Sequence, residues 1–128
     1  MPQLPEGQAT ATTMQAVSNA MVRLHKDQFG RGPTNARSHL AGPDTLVCTL
    51  EASLLPAERA MVAMGEHQRV RDMRSFFQVA TADRFISEVE TILERKVRGF
   101  ASAIDPAPEL VWEIFAFEPS GRNGAGEK

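Results

Sequence analysis

Between Met14 and Leu24 the apolar residues Met14, Val17, Met21 and Leu24 recur every three or four positions, with Val22 on the flank. That spacing puts them on one stripe of a helix. Thr12 or Thr13 is placed to cap its start. Gly30 stands where a helix ends in a left-handed residue, and Pro33 bars any continuation. The preceding residues 1–12, rich in Pro, Gln, Thr and Ala without a period, are expected to form a disordered arm.

The next stretch, "ARSHLAGPDTLVCTLEASL", predicts two strands joined at Gly42-Pro43-Asp44. Leu46, Cys48 and Leu50 alternate with Val47, Thr49 and Glu51, which turns the first set towards a core. The strand before the turn, Ala36–Leu40, is polar and fits a sheet edge guarded by Arg37 and His39. "LLPAERAMVAMG" predicts a short helix with Pro56 in its first turn, Glu58 near its positive end and Gly65 after its last residue. A longer one follows from Glu66 to about Arg95. Its expected stripe is Val70, Met73, Phe77, Thr81, Phe85, Val89 and Ile92, widened by Phe76, Ile86 and Leu93. Thr81 is also able to cap a second piece, which leaves open a break at Thr81–Asp83.

"KVRGFASAI" and "ELVWEIFAF" are β-prone and joined by Asp105-Pro106-Ala107-Pro108. From Val111 to Phe117 both faces are apolar, with Trp112, Ile114 and Ala116 on one side and Val111, Phe115 and Phe117 on the other. Such a strand is either central and covered twice or part of an oligomer interface. The order is α-β-β-α-α-β-β, with the helix–hairpin unit occurring twice. It implies an α+β fold: a mostly antiparallel four-stranded sheet packed by the N-terminal helix and the long central helix. A single domain over 13–118 is expected, followed by a Gly-rich disordered tail at 119–128.

Composition narrows the classes. At 128 residues the chain suits one domain with a real core. A single cysteine, Cys48, excludes an intrachain disulfide framework and is expected as a buried, inert thiol. Neither a signal-peptide pattern nor a run long enough for a membrane span occurs, so a soluble, cytoplasmic protein is expected. The net charge of −2 argues against a general nucleic-acid binder. Charge is nevertheless uneven. Arg23, Lys26, Arg31 and Arg37 stand against Asp27 alone, with His25 and His39 among them. Residues 105–128 instead carry five acids against Arg122 and Lys128.

"GRGPT" at 30–34 is the nearest approach to a phosphate loop. It follows a helix and precedes a strand, the reverse of a P-loop, so no helix N-terminus faces an anion. An arginine in such a turn can still take phosphate or carboxylate in its guanidinium fork. His25, His39 and His67 have no zinc-type spacing, and no G-x-S-x-G occurs, so neither metal nor cofactor is expected. Glu88 and Glu90 lie two apart and cannot share a helix face as an acid/base pair. Arg71 and Arg74 on adjacent turns read first as a solvated face, or else as a surface for a partner or lipid headgroups. The seven Phe sit at stripe positions and read as core.

Five blocks carry a family resemblance: "SNAMVRLHKDQFGRGPTNAR" at 18–37, "LEASLLPAERAMV" at 50–62, "VRDMRSFFQ" at 70–78, "ERKV" at 94–97 and "DPAPELVWEIFAFEP" at 105–119. In this order they resemble the MpsC-like domain, a bacterial family named for a component of a sodium-translocating, membrane-potential-generating system. The first block is the most specific. The resemblance implies a link to ion or inorganic-carbon transport at the membrane and assigns no active site. The functional expectation is a non-catalytic binding or regulatory accessory protein, as a homodimer, with a membrane-associated protein or a small anion as partner. The alternative is a phosphate-containing ligand or nucleic acid bound through the basic Arg23–Arg37 region. An enzyme would need Arg23, His25, Arg31 and Arg37 gathered in one pocket. The candidate binding residues are Arg23, His25, Lys26, Arg31, Arg37 and His39.

Overall fold

The computed structural model describes residues 6–119. Helix α1 spans Glu6–Phe29, strand β1 Asn35–Leu40, strand β2 Thr45–Glu51, helix α2 Pro56–Ala63, helix α3 His67–Leu93, strand β3 Val97–Asp105 and strand β4 Leu110–Phe117. The order of elements is the one the hydrophobic pattern implies. All neighbouring strands are antiparallel, in the order β1-β2-β4-β3. The two hairpins therefore lie side by side, each with its second strand innermost.

Helix α1 starts earlier than expected, so Thr12 and Thr13 lie inside it instead of capping it. The run QATATT holds no proline or glycine, and helix propagates back through it. Of the expected arm, residues 1–5 lie outside the described residues, as does nearly all of the expected tail. Gly30 ends α1 with φ +79°, its N–H donating to the Lys26 carbonyl at 2.8 Å. Gly32 is needed for a different reason: a Cβ there would sit 3.0 Å from the Val22 carbonyl oxygen.

The core lies between the sheet and the two long helices. Met14, Val17, Met21 and Leu24 of α1 meet Leu46, Cys48 and Leu50 of β2, with Phe85 and Val89 of α3 and Val111, Phe115 and Phe117 of β4. The alternation expected in β2 is present residue by residue. Cys48 is a free, fully buried thiol, and burial pushes it up to about 12 against a smaller opposite pull from the Ser38 hydroxyl. An acceptor-poor apolar setting of that kind makes an inert thiol.

Helix α3 is the single long helix expected, but its inward face is not the expected stripe. It runs unbroken through Thr81–Asp83, and its buried residues are Val70, Arg74, Gln78, Phe85 and Val89. Phe76 and Phe77 are exposed, at 69% and 40%, so not every Phe belongs to the core. Arg74 is buried and not on a solvated face. The inward face follows steps of four through its N-terminal half, and partners on other elements make two polar residues acceptable there.

Only one face of the sheet is covered by the described helices. Side chains paired across strands point the same way. The uncovered face therefore carries the rows Arg37–Thr49–Trp112–Ala103 and His39–Val47–Ile114–Ala101. Strand β4 is central, as one of the two expectations held, but helices cover it on one side only.

Candidate functional site

A cavity of about 460 Å³ opens between α3 and the β3–β4 hairpin. Period sets its walls. Arg71, Ser75, Gln78, Val79 and Ala82 recur every three or four residues and face it from α3. Phe100, Ser102 and Ile104 alternate towards it from β3, and Val111 and Glu113 from β4. The space exists because the side chains meeting across it are small: Ser75 and Ala82 on the helix, Ser102 on the strand. Further along α3, Phe85 closes the same gap by stacking on Phe100, with ring centroids 6.0 Å apart.

The floor is a buried polar chain. His25 Nε2 lies 3.0 Å from Glu113 Oε2, and Gln78 Nε2 donates to Glu113 Oε1 at 2.8 Å. His25 Nδ1 faces the Met21 carbonyl at 2.8 Å. A carbonyl only accepts, so Nδ1 carries a proton. The contact between Nε2 and the carboxylate must then hold one more proton, whether as imidazolium and carboxylate or as imidazole and carboxylic acid. The pair is thus neutral as a unit. His25 and Glu113 are screened from solvent, at 1% and 0% exposure. Gln78 is the floor group nearest the open space, and its carbonyl oxygen has no hydrogen-bond partner among the described residues.

One wall holds a second buried pair. Arg74 donates to both oxygens of Glu58, at 2.8 and 2.7 Å, and to the Ser53 carbonyl at 2.9 Å. Its guanidinium also lies 3.9 Å from the centroid of the Phe29 ring. Glu58 accepts the Leu55 N–H at 2.8 Å, which closes the start of α2. Arg74 is therefore neutralised in place. Arg71, at the mouth, has no ion-pair partner among the described residues. The net field of the cavity is that of Arg71, over walls of Val79, Ala82, Phe100, Ile104 and Val111.

The residues expected to bind are not gathered here. Only His25 reaches the cavity. Arg23 is exposed and pairs with Glu88 of α3 at 2.6 Å, and Lys26 is exposed on α1. Arg31 lies at the end of the sheet near Glu109. There the Arg59 guanidinium holds the Glu109 carboxyl below the usual carboxylate range, and the Arg31 charge adds a smaller push the same way. Arg59 grips that carboxylate with two bonds, at 2.9 and 3.0 Å. The GRGPT arginine thus lies within electrostatic reach of a carboxylate of the chain itself. Arg37 and His39 lie on the uncovered face of the sheet. These residues lie on separate surfaces, so the pocket that an enzyme reading requires of Arg23, His25, Arg31 and Arg37 does not form.

Missed by sequence reasoning were Glu113, Gln78, Arg74 and Glu58. For Glu113 a signal existed: an acid at an inward position of a strand whose other inward residues are Val111, Phe115 and Phe117. Among the described residues no group of His, Cys, Asp or Glu is arranged to hold a metal ion, and no helix is long and apolar enough to cross a membrane.

Comparison with known proteins adds one match. The family model described as the Na+-translocating membrane potential-generating system (MpsC) matches residues 10–119. No curated protein and no solved structure matches the chain.

Proposed function

The chain belongs to the MpsC family, whose description links it to a Na+-translocating membrane-potential system, and on that premise we propose that it is a non-catalytic accessory protein of such a system, acting on the cytoplasmic side through a ligand held in the α3–β3 cavity. The observation that carries this reading is the cavity itself: about 460 Å³, apolar-walled, with one unneutralised guanidinium at its mouth. Pockets of a few hundred Å³ with few polar groups are the usual form of a small-ligand site. The His25–Glu113 pair on the cavity floor is neutral as a unit, so the charge offered to a ligand is that of Arg71. The ligand that fits is a small anion with an apolar body, its charge on Arg71 and its body against Phe100, Ile104 and Val79.

A thermal-shift series with straight-chain carboxylates from butanoate to decanoate, and the matching alcohols, tests this. The carboxylates should raise Tm and the alcohols should not. Arg71→Ala should weaken carboxylate binding about tenfold, the loss of one charge-assisted contact of about 1.4 kcal/mol, while leaving the ligand-free Tm unchanged. A flat response to every carboxylate at millimolar concentration, or a response that Arg71→Ala leaves intact, removes the reading.

A further inference from the structure

The uncovered face of the sheet is apolar at its centre. Val47, Trp112 and Ile114 stand in adjacent rows, flanked on β3 by Ala101 and Ala103. An antiparallel sheet with one solvated face normally alternates apolar-in and polar-out, and β4 does not. Thr49 aside, polar and charged residues on this face stand at its margins, including Glu51 at the end of β2. Arg37 lies on β1 at one edge and Asp105 at the end of β3 on the other. Both are exposed, and neither has an ion-pair partner among the described residues.

We infer that this face is the site where a second copy of the chain docks, the two sheets stacking about a two-fold axis parallel to the strands. Such an axis reverses strand order across the interface and keeps position along the strands. It lays β1 of each copy over β3 of the other, and β2 over β4. Trp112 then meets Thr49, and Ile114 meets Val47, so large side chains face smaller ones. Arg37 passes over Ala103, where its length reaches Asp105 one row away, and symmetry makes two such ion pairs. The other two-fold, across the strands, would stack β1 on β1 and set Arg37 against His39. The face is therefore complementary to itself in one orientation and not in the other. The chain's own C-terminal residues, GRNGAGEK, have no apolar side chain larger than alanine with which to cover it.

Four strands and seven residues give a flat patch about 19 by 23 Å. That is about 440 Å² of flat area per partner, below the roughly 600–1,000 Å² of standard stable interfaces, so a weak dimer with a dissociation constant of about tens of micromolar is expected.

Sedimentation equilibrium on the full chain should give twice the 14.0 kDa of one copy at about 100 μM. Trp112→Glu should give a monomer with unchanged far-UV circular dichroism. Arg37→Asp and Asp105→Arg should each weaken the dimer about tenfold, and the double reversal should restore it. Both charges are exposed, so these variants carry the test even if Trp112→Glu does not fold. A wild-type monomer throughout the range would overturn the proposal. So would a dimer indifferent to both single reversals, which would place the interface elsewhere. Neither result bears on the cavity reading, since Arg71 lies on the opposite side of the sheet.

Discussion

Two buried polar pairs lie close together on the covered side of the sheet, and they are built differently. Arg74 and Glu58 are both formally charged. Each spends its hydrogen bonds on the other or on backbone, and together they fasten α2 to α3. His25 and Glu113 share a proton, are neutral as a unit, and leave a floor under empty space. The first pair ties Nε and Nη2 of Arg74 into the fold and leaves Nη1 without a partner among the described residues. The second leaves the adjoining Gln78 carbonyl without a partner, so polar capacity faces the cavity. Burial alone does not tell a structural pair from a site.

The largest expected effect breaks the first pair. Arg74→Ala should strand Glu58 and cost about 3–5 kcal/mol in urea unfolding, whereas Arg74→Met combined with Glu58→Leu should recover most of it. An additive loss in the double variant would mean that the charges themselves stabilise the fold. The second pair should be more forgiving. In Glu113→Gln a neutral His25 still donates through Nδ1 and accepts at Nε2, and the new carbonyl accepts from Gln78. The cost should stay below about 1 kcal/mol, against about 1–3 kcal/mol for Glu113→Leu, which leaves polar groups unpaired. Equal costs for the two variants would show that the shared proton matters more than the hydrogen bonds. The smallest effect concerns Glu109, outside both pairs. Its folded-state carboxyl is lowered by Arg59, so the contribution is present above the ordinary carboxylate range and is lost as pH falls through the folded value. The wild-type advantage over Arg59→Ala in urea midpoint should shrink between about pH 5 and about pH 3. A gap constant with pH would assign that pair no electrostatic role.

The element order, the antiparallel sheet and the inward set of β2 were legible because each rests on a local period and local turn residues. The inward face of α3 was not. Averaging apolar positions points to Phe76 and Phe77, yet the chain buries Arg74 and Gln78. Their partners Glu58 and Glu113 lie 16 and 35 residues away, and no one-dimensional pattern registers that pairing. His25 stood out by proximity to the arginines of the GRGPT stretch. It turns instead towards Glu113, 88 residues on. The arginines that drew attention spread over three surfaces.

The two glycines that flank Arg31 will behave differently under mutation and drift. Position 30 is constrained by backbone angle in open space, so among relatives it should wander to asparagine, which tolerates a positive φ. Position 32 is constrained by a carbonyl that belongs to the helix and cannot step aside. A side chain there needs the loop and α1 to part by about a few tenths of an ångström, at the start of β1 that Thr34 ties to Glu51. Of the two glycines in GRG, the first is held by its backbone angle and the second by the space beside α1.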